Sequence, residues 1–180
     1  MWCPGTEIDM RIFLATALVS GLLFSVGAAV AADKLSDAQI AHIAYTAGEI
    51  DIKAADQALE KSKAENVRSF ANDMVRDHKA VNDKALALVK KLNVTPEDND
   101  TSKALLKQAD EKHAELAKLS GDAFDKAYVE NEVAFHKTVL AALKDTLIPS
   151  TSNAELKALL ETGLKIFEGH LQHAEHIASK

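Results

Sequence analysis

Apolar residues recur at three- and four-residue steps through most of the chain after residue 36, which is the spacing of one face of an α-helix. The pattern is clearest in the second helical segment, at Val67, Ala71, Met74, His78, Val81, Ala85, Leu88 and Leu92. Runs of Val, Ile and Thr bounded by turn residues are absent, so the sequence predicts no sheet. The predicted helices lie near 37–61, 64–92, 102–119, 122–147 and 153–178.

The lengths of the connections predict how these helices are arranged. Two short links, near 62–65 and 148–153, join antiparallel pairs, whereas the long connection 93–121 carries the short helix 102–119. Two tight hairpins and one long crossover are typical of the ferritin-like topology. We therefore predict an all-α fold, a ferritin-like four-helix bundle over residues 36–178 with an extra short helix in the crossover. The competing interpretation is an up-down-up-down array of five helices.

Three sequence pairs have the spacing of a capping box and predict where helices begin. They are Ser36 with Gln39, Ser62 with Glu65, and Ser152 with Glu155. Their hydroxyl groups would cap the first, second and last of the predicted helices.

The most hydrophobic stretch, Ile12 to Ala32, precedes the helical region. Arg11 stands before it and small residues end it, as in a secretory signal peptide. We expect residues 1–31 to be a signal peptide with an upstream extension, and Met10 to be the initiator. The expected location is the periplasm or another exported compartment, with outer-membrane association as a further option. No later segment is long and apolar enough to span a membrane, so no transmembrane segment is expected after cleavage.

Composition narrows the possible functions. The chain has 180 residues and a net charge of −6, and beyond Ala32 it keeps 20 Lys and Arg against 25 Asp and Glu. This mild acidity, without a basic stripe, argues against a nucleic-acid partner. The single cysteine, Cys3, would leave with the leader, which excludes disulfides, thiolate metal sites and cysteine nucleophiles. No phosphate-binding loop or nucleophile–base pair is visible, so the sequence favours a protein that is not an enzyme. An envelope protein or a second copy of the chain is a possible partner.

Polar residues on the apolar faces are the strongest hints of function. On a helical wheel Asp51 points inward, whereas Glu49 points to the opposite side. Asp125 shares the inward stripe of its helix but lies one layer beyond the other polar residues. Residue counts from the two hairpins place five inward polar side chains near the middle of the bundle. They are Asp51, His78, Glu132, His136 and His170.

Several stretches of the chain resemble one exported bacterial family. They are Ser69 to His78, the element Phe124-Asp125-Lys126-Ala127-Tyr128, the segment Glu132 to His136, and Gly169-His170-Leu171. They resemble the domain-of-unknown-function family numbered 4142, described as ferritin-like. The resemblance covers about 36–178 and implies a ferritin-like fold and export, but no established activity. It also implies that an acid at the position of Asp51, together with His78, Asp125, His136 and His170, occupies positions that the family pattern marks.

The chain departs from the di-iron ferritin pattern, which needs Glu-x-x-His on two helices. The residue three before His78 is Val75, and three before His170 is Phe167. The set is rich in histidine and poor in carboxylate, which argues against iron storage. Zinc, copper, or a single iron or manganese ion suits it better. The alternative is a metal-free network of buried hydrogen bonds in a non-catalytic envelope or stress-related protein.

Overall fold

The computed structural model describes residues 34–180, and the predicted signal peptide lies outside them. The described elements are α1 (Asp37–Lys61), α2 (Glu65–Lys91), α3 (Asp100–Ala117), α4 (Gly121–Ala142), a π-helical turn (Leu143–Leu147), α5 (Ile148–Ser150) and α6 (Ala154–Ala178). This part of the chain contains no strand, which confirms the predicted all-α class. None of its helices combines the length and the hydrophobicity needed to cross a bilayer.

Helices α1, α2, α4 and α6 form a four-helix bundle. α1 packs against α2 and α4, and α6 packs against the same two helices from the other side. α3 lies along α1 and α4, and it buries only Ser102 and Leu116. Because so little of α3 is buried, it is a helical crossover outside the bundle. The ferritin-like topology is therefore confirmed, and the competing up-down-up-down array of five helices is wrong.

The core consists of two apolar clusters, one at each end of the bundle. The first includes Ile40, Leu140 and Leu156, and the second includes Phe70 and Phe124. Along each bundle helix, buried polar residues lie in sequence between the residues of the two clusters. We call the five of them that are histidines or carboxylic acids the polar belt; they are Asp51, His78, Glu132, His136 and His170.

Only one of the three predicted capping boxes forms. Ser36 caps α1, with its side chain accepting from the backbone N–H of Gln39. Ser62 instead ends α1, because its N–H bonds to a carbonyl of that helix, and α2 begins without a side-chain cap. Asn153, not Ser152, caps α6. The two wrong predictions misplace helix starts by one or two residues and leave the helical faces unchanged.

Candidate metal centre

Three imidazoles from three different helices meet in the polar belt. His78 lies on α2, His136 on α4 and His170 on α6. One ring nitrogen of each lies within 4.8 Å of those of the other two. His136 is 0% exposed, His78 1% and His170 6%. We call this group the histidine triad, and it faces a single point that is shielded from solvent.

Hydrogen bonds to the outside of the triad decide which nitrogen carries the proton. The Nδ1–H of His136 donates to the backbone oxygen of Glu132 at 2.8 Å, and the Nε2–H of His170 donates to Asp77 Oδ2 at 3.0 Å. A neutral imidazole has a single N–H, so the other nitrogen of each ring carries a lone pair. Those nitrogens, together with Nε2 of His78, are buried and have no hydrogen-bond partner. Metal-binding histidines are oriented by such outer partners in the same way.

Two carboxyl groups lie beside the triad. Asp51 and Glu132 form a second group with His136, in which one candidate ligand atom of each residue lies within 4.8 Å of the others. Asp51 Oδ2 is also 3.3 Å from Nε2 of His78. Both carboxyl groups are 1% exposed, and none of their four oxygens has a hydrogen-bond partner. His136 belongs to both groups and therefore joins the imidazole and carboxylate halves of the site.

Burial keeps the histidines neutral. It lowers the pKa of His136 to about 4 and, with the charges of the two neighbouring imidazoles, lowers the pKa of His78 to about 3. Burial also lowers the pKa of His170, although its bond to Asp77 opposes this effect. All three are therefore neutral at pH 7, which is the form that binds a metal ion.

The pKa values of the two carboxyl groups are shifted in the opposite direction, upward. Burial raises the pKa of both Asp51 and Glu132, and the charge of Glu132 raises that of Asp51 further. Two buried carboxylates without a cation repel each other and lose their hydration, so the protonated form is favoured. A nearby cation would reverse both effects.

Two aromatic rings complete the surroundings of the site. The ring centroid of Phe167 is 4.9 Å from that of His78 and 5.0 Å from that of His136. This ring stands where a di-iron protein would have a ligand carboxylate, three residues before His170. The Tyr128 hydroxyl is buried without a partner, and burial followed by the charges of Glu132 and Asp51 raises its pKa.

The structure brings all five predicted site residues together and leaves Asp125 out. Asp125 is half-buried and borders a surface cavity near the start of α4. Glu49 is exposed, as the wheel predicts, although it accepts a hydrogen bond of 2.7 Å from Asn82. Tyr128 was not predicted as a site residue, although its position one turn before Glu132 indicates the same helical face. The bond from His170 to Asp77 was not predicted either.

Comparisons with known proteins agree with this architecture. The sequence profile of the family described as "Domain of unknown function (DUF4142)" matches residues 25–177. A DUF305 fragment from Deinococcus radiodurans has a TM-score of 0.70 at 15% identity, over 79% of this chain and 95% of that one. A candidate secreted DUF305 protein from Streptomyces coelicolor has a TM-score of 0.66 at 14% identity, over 82% and 93%. At these identities the likeness shows the fold alone. No curated protein matches the chain.

Proposed function

The chain belongs to the DUF4142 family, and we propose that this member is an exported helical bundle that binds one divalent transition-metal ion at the histidine triad. The observation that carries the proposal is the direction of the imidazole protons. The N–H groups of His136 and His170 point outward to fixed acceptors, so their lone pairs face the interior. Buried lone pairs that face each other need a cation or a donor between them.

A metal-free network is the second candidate, and one contact favours it. Protonated Asp51 lies 3.3 Å from Nε2 of His78 and could donate to it. That contact still leaves the inward nitrogens of His136 and His170 as two acceptors without a donor. The metal ion satisfies all three imidazoles at once, whereas this network satisfies one.

The dimensions and donor types of the site fit such an ion. Three atoms within 4.8 Å of one another share a point no more than about 2.8 Å from each. Zinc–imidazole bonds are about 2.0–2.1 Å long, so the ligands need to close by less than about 1 Å. Imidazoles suit zinc, copper and iron, whereas manganese prefers oxygen ligands. A dication would also offset the negative charge of Asp51 and Glu132.

The burial of the site supports structural binding of the ion rather than turnover of a substrate. Its ligand atoms are shielded from solvent, as in closed structural metal sites. His170 is the triad member nearest to solvent, next to the partly exposed Asp77.

A metal titration of the whole mature protein tests the proposal. After removal of metal by a chelator at neutral pH, zinc or copper should bind at one ion per chain. At a free concentration of 100 times Kd, binding should add about 2.7 kcal/mol to the free energy of unfolding. This corresponds to a rise of roughly 5–10 °C in Tm for a chain of this size.

A pair of variants on α6 provides the control for this titration. His170→Ala should remove the metal-dependent rise in Tm, whereas His176→Ala, at an exposed position on the same helix, should keep it. The metal-free network would be the better explanation if the purified protein held well under one ion per chain and its Tm did not change on addition of zinc, copper, iron or manganese.

Export is the second part of the proposal. Arg11, the apolar run from Ile12 and its small-residue end support it, as does the fold shared with a candidate secreted protein. We expect the intact mass of protein from the cell envelope to correspond to a chain beginning at Ala32 or Asp33. A full-length mass in the membrane fraction would instead indicate an uncleaved anchor.

A further inference from the structure

A cavity of about 330 Å³ lies in the bundle half that holds the starts of α1 and α6. Each bundle helix and the π-helical turn contributes apolar side chains to its wall. The remaining wall residues are neutral and polar, such as Thr138 and Thr146, and no charged side chain lines it. Several wall residues are core residues, among them Ile43 at 3% and Leu143 at 4% exposure. Thr138 and Thr146 are exposed, so the cavity extends from the core to the surface of the bundle.

The sequence leaves this space open at one position in particular. Gly163 is buried in the middle of α6 and lines the cavity, and a Cβ atom there would meet no atom within 4 Å. Glycine inside a helix is less favourable than alanine. No neighbouring atom would clash with a larger side chain at this position. The effect of the glycine is therefore to leave this part of the cavity open.

We propose that this cavity binds a neutral, mainly hydrocarbon small molecule. A charged ligand would lose its hydration without gaining a charged partner from the wall. Water is a poor occupant, because apolar cavities of about 150 Å³ stay dry and bind benzene instead. An apolar occupant restores the dispersion contacts that the walls otherwise lack.

The volume sets the size of the ligand. The cavity is about twice the size of one that holds a benzene ring, so it has room for two fused aromatic rings or a medium-length alkyl chain. No member of the polar belt lines the cavity, so the proposal is independent of metal binding. Phe167 lines the cavity and packs against the triad, and it therefore separates the two sites.

Binding of naphthalene to the whole mature protein tests this inference, with 2-naphthoate as the charged analogue. Ligand-observed NMR and the shift in Tm should both show one naphthalene per chain. The carboxylate should bind at least tenfold more weakly, because its charge has no partner in the wall.

Filling the cavity supplies the controls. Gly163→Leu should weaken naphthalene binding at least tenfold, because its side chain occupies the open space. Gly169→Leu makes the same change on α6 at an exposed glycine that also meets open space, and it should leave binding unchanged. Ala142→Leu fills the cavity from α4, a neighbouring helix, and replaces Gly163→Leu if that variant does not fold.

Three results would overturn the inference. The first is no binding by the wild-type protein up to the solubility limit of naphthalene. The second is undiminished binding by a folded cavity-filling variant. The third is equal binding of naphthalene and its carboxylate.

Discussion

Raising the pH from 6.5 to 8 should lower the free energy of unfolding of the metal-free bundle, by about 2 kcal/mol for Glu132 alone, whose pKa in the folded state is about 8. The pKa values of Asp51 and Glu132 are raised in the folded state, whereas both groups are ionised in the unfolded chain at these pH values. Stability that comes from a raised pKa is present below the unfolded value and is lost as the pH rises through the folded value. Urea denaturation of chelator-treated protein at a series of pH values measures the slope of the free energy of unfolding against pH.

The histidines act in the opposite direction below pH 6.5. The pKa values of His78 and His136 are lowered to about 3 and about 4, so the unfolded chain takes up their protons first. Their contribution is therefore lost as the pH falls from about 6.5 towards those values. Over the same pH range the contribution of the buried carboxyl groups to stability increases. We therefore expect the free energy of unfolding to change little with pH below 6.5.

Two neutral variants on α1 separate the buried acid from its exposed neighbour. Asp51→Asn should reduce the slope between pH 6.5 and 8, whereas Glu49→Gln should leave it unchanged. Saturating zinc should also reduce the slope, because a dication stabilises the carboxylates. A slope in Asp51→Asn equal to that of the wild type would contradict the raised pKa of this carboxyl group.

Replacing His136 should weaken metal binding more than any other single change in the site. His136 belongs to both candidate ligand groups, and it is fully buried. Structural zinc sites with four ligands are worth about 10–16 kcal/mol, or roughly 3 kcal/mol for each ligand. We therefore expect His136→Ala to raise the Kd for zinc more than about a hundredfold, as measured by competition with a chelator of known affinity.

Replacing Asp77 should weaken metal binding less than replacing His136, because Asp77 would orient the ligand His170 without contacting the ion. Asp77→Asn weakens the acceptor of the His170 N–H bond and should raise the Kd by about 10- to 100-fold. A larger loss in Asp77→Asn than in His136→Ala would be inconsistent with these roles.

The helical faces were predictable because one periodicity fixes them. Asp51 and Glu49 are two residues apart, so they must lie on nearly opposite sides of α1, and one is buried while the other is exposed. The same periodicity predicts that His78, His136 and His170 lie in the interior, where the structure has them. Counting residues from the hairpins was enough to predict that these side chains lie at similar heights along the bundle, because the helices are long and the links between them are short.

Other features depend on packing between helices and could not be predicted. Asp77 stands at the edge of its helical face, and its partner His170 follows only from the position of α6 beside α2. The π-helical turn at Leu143–Leu147 interrupts a segment whose apolar pattern continues unbroken. The cavity at Gly163 is equally invisible, because a glycine does not show whether its neighbours fill the space it leaves.

The position of the polar belt between two apolar clusters has a consequence for how the chain selects one packing. Sliding a single helix by one turn moves its side chains by about 5.4 Å along the bundle. An apolar core alone tolerates such a shift, because one aliphatic contact replaces another. Here the shift would move His78 or Glu132 into an apolar cluster and leave its former neighbours without it, at the energetic cost of isolated buried polar groups. The polar belt therefore raises the free energy of arrangements in which one helix is shifted along the others. This increases the energy gap between the native packing and alternative packings of the same four helices.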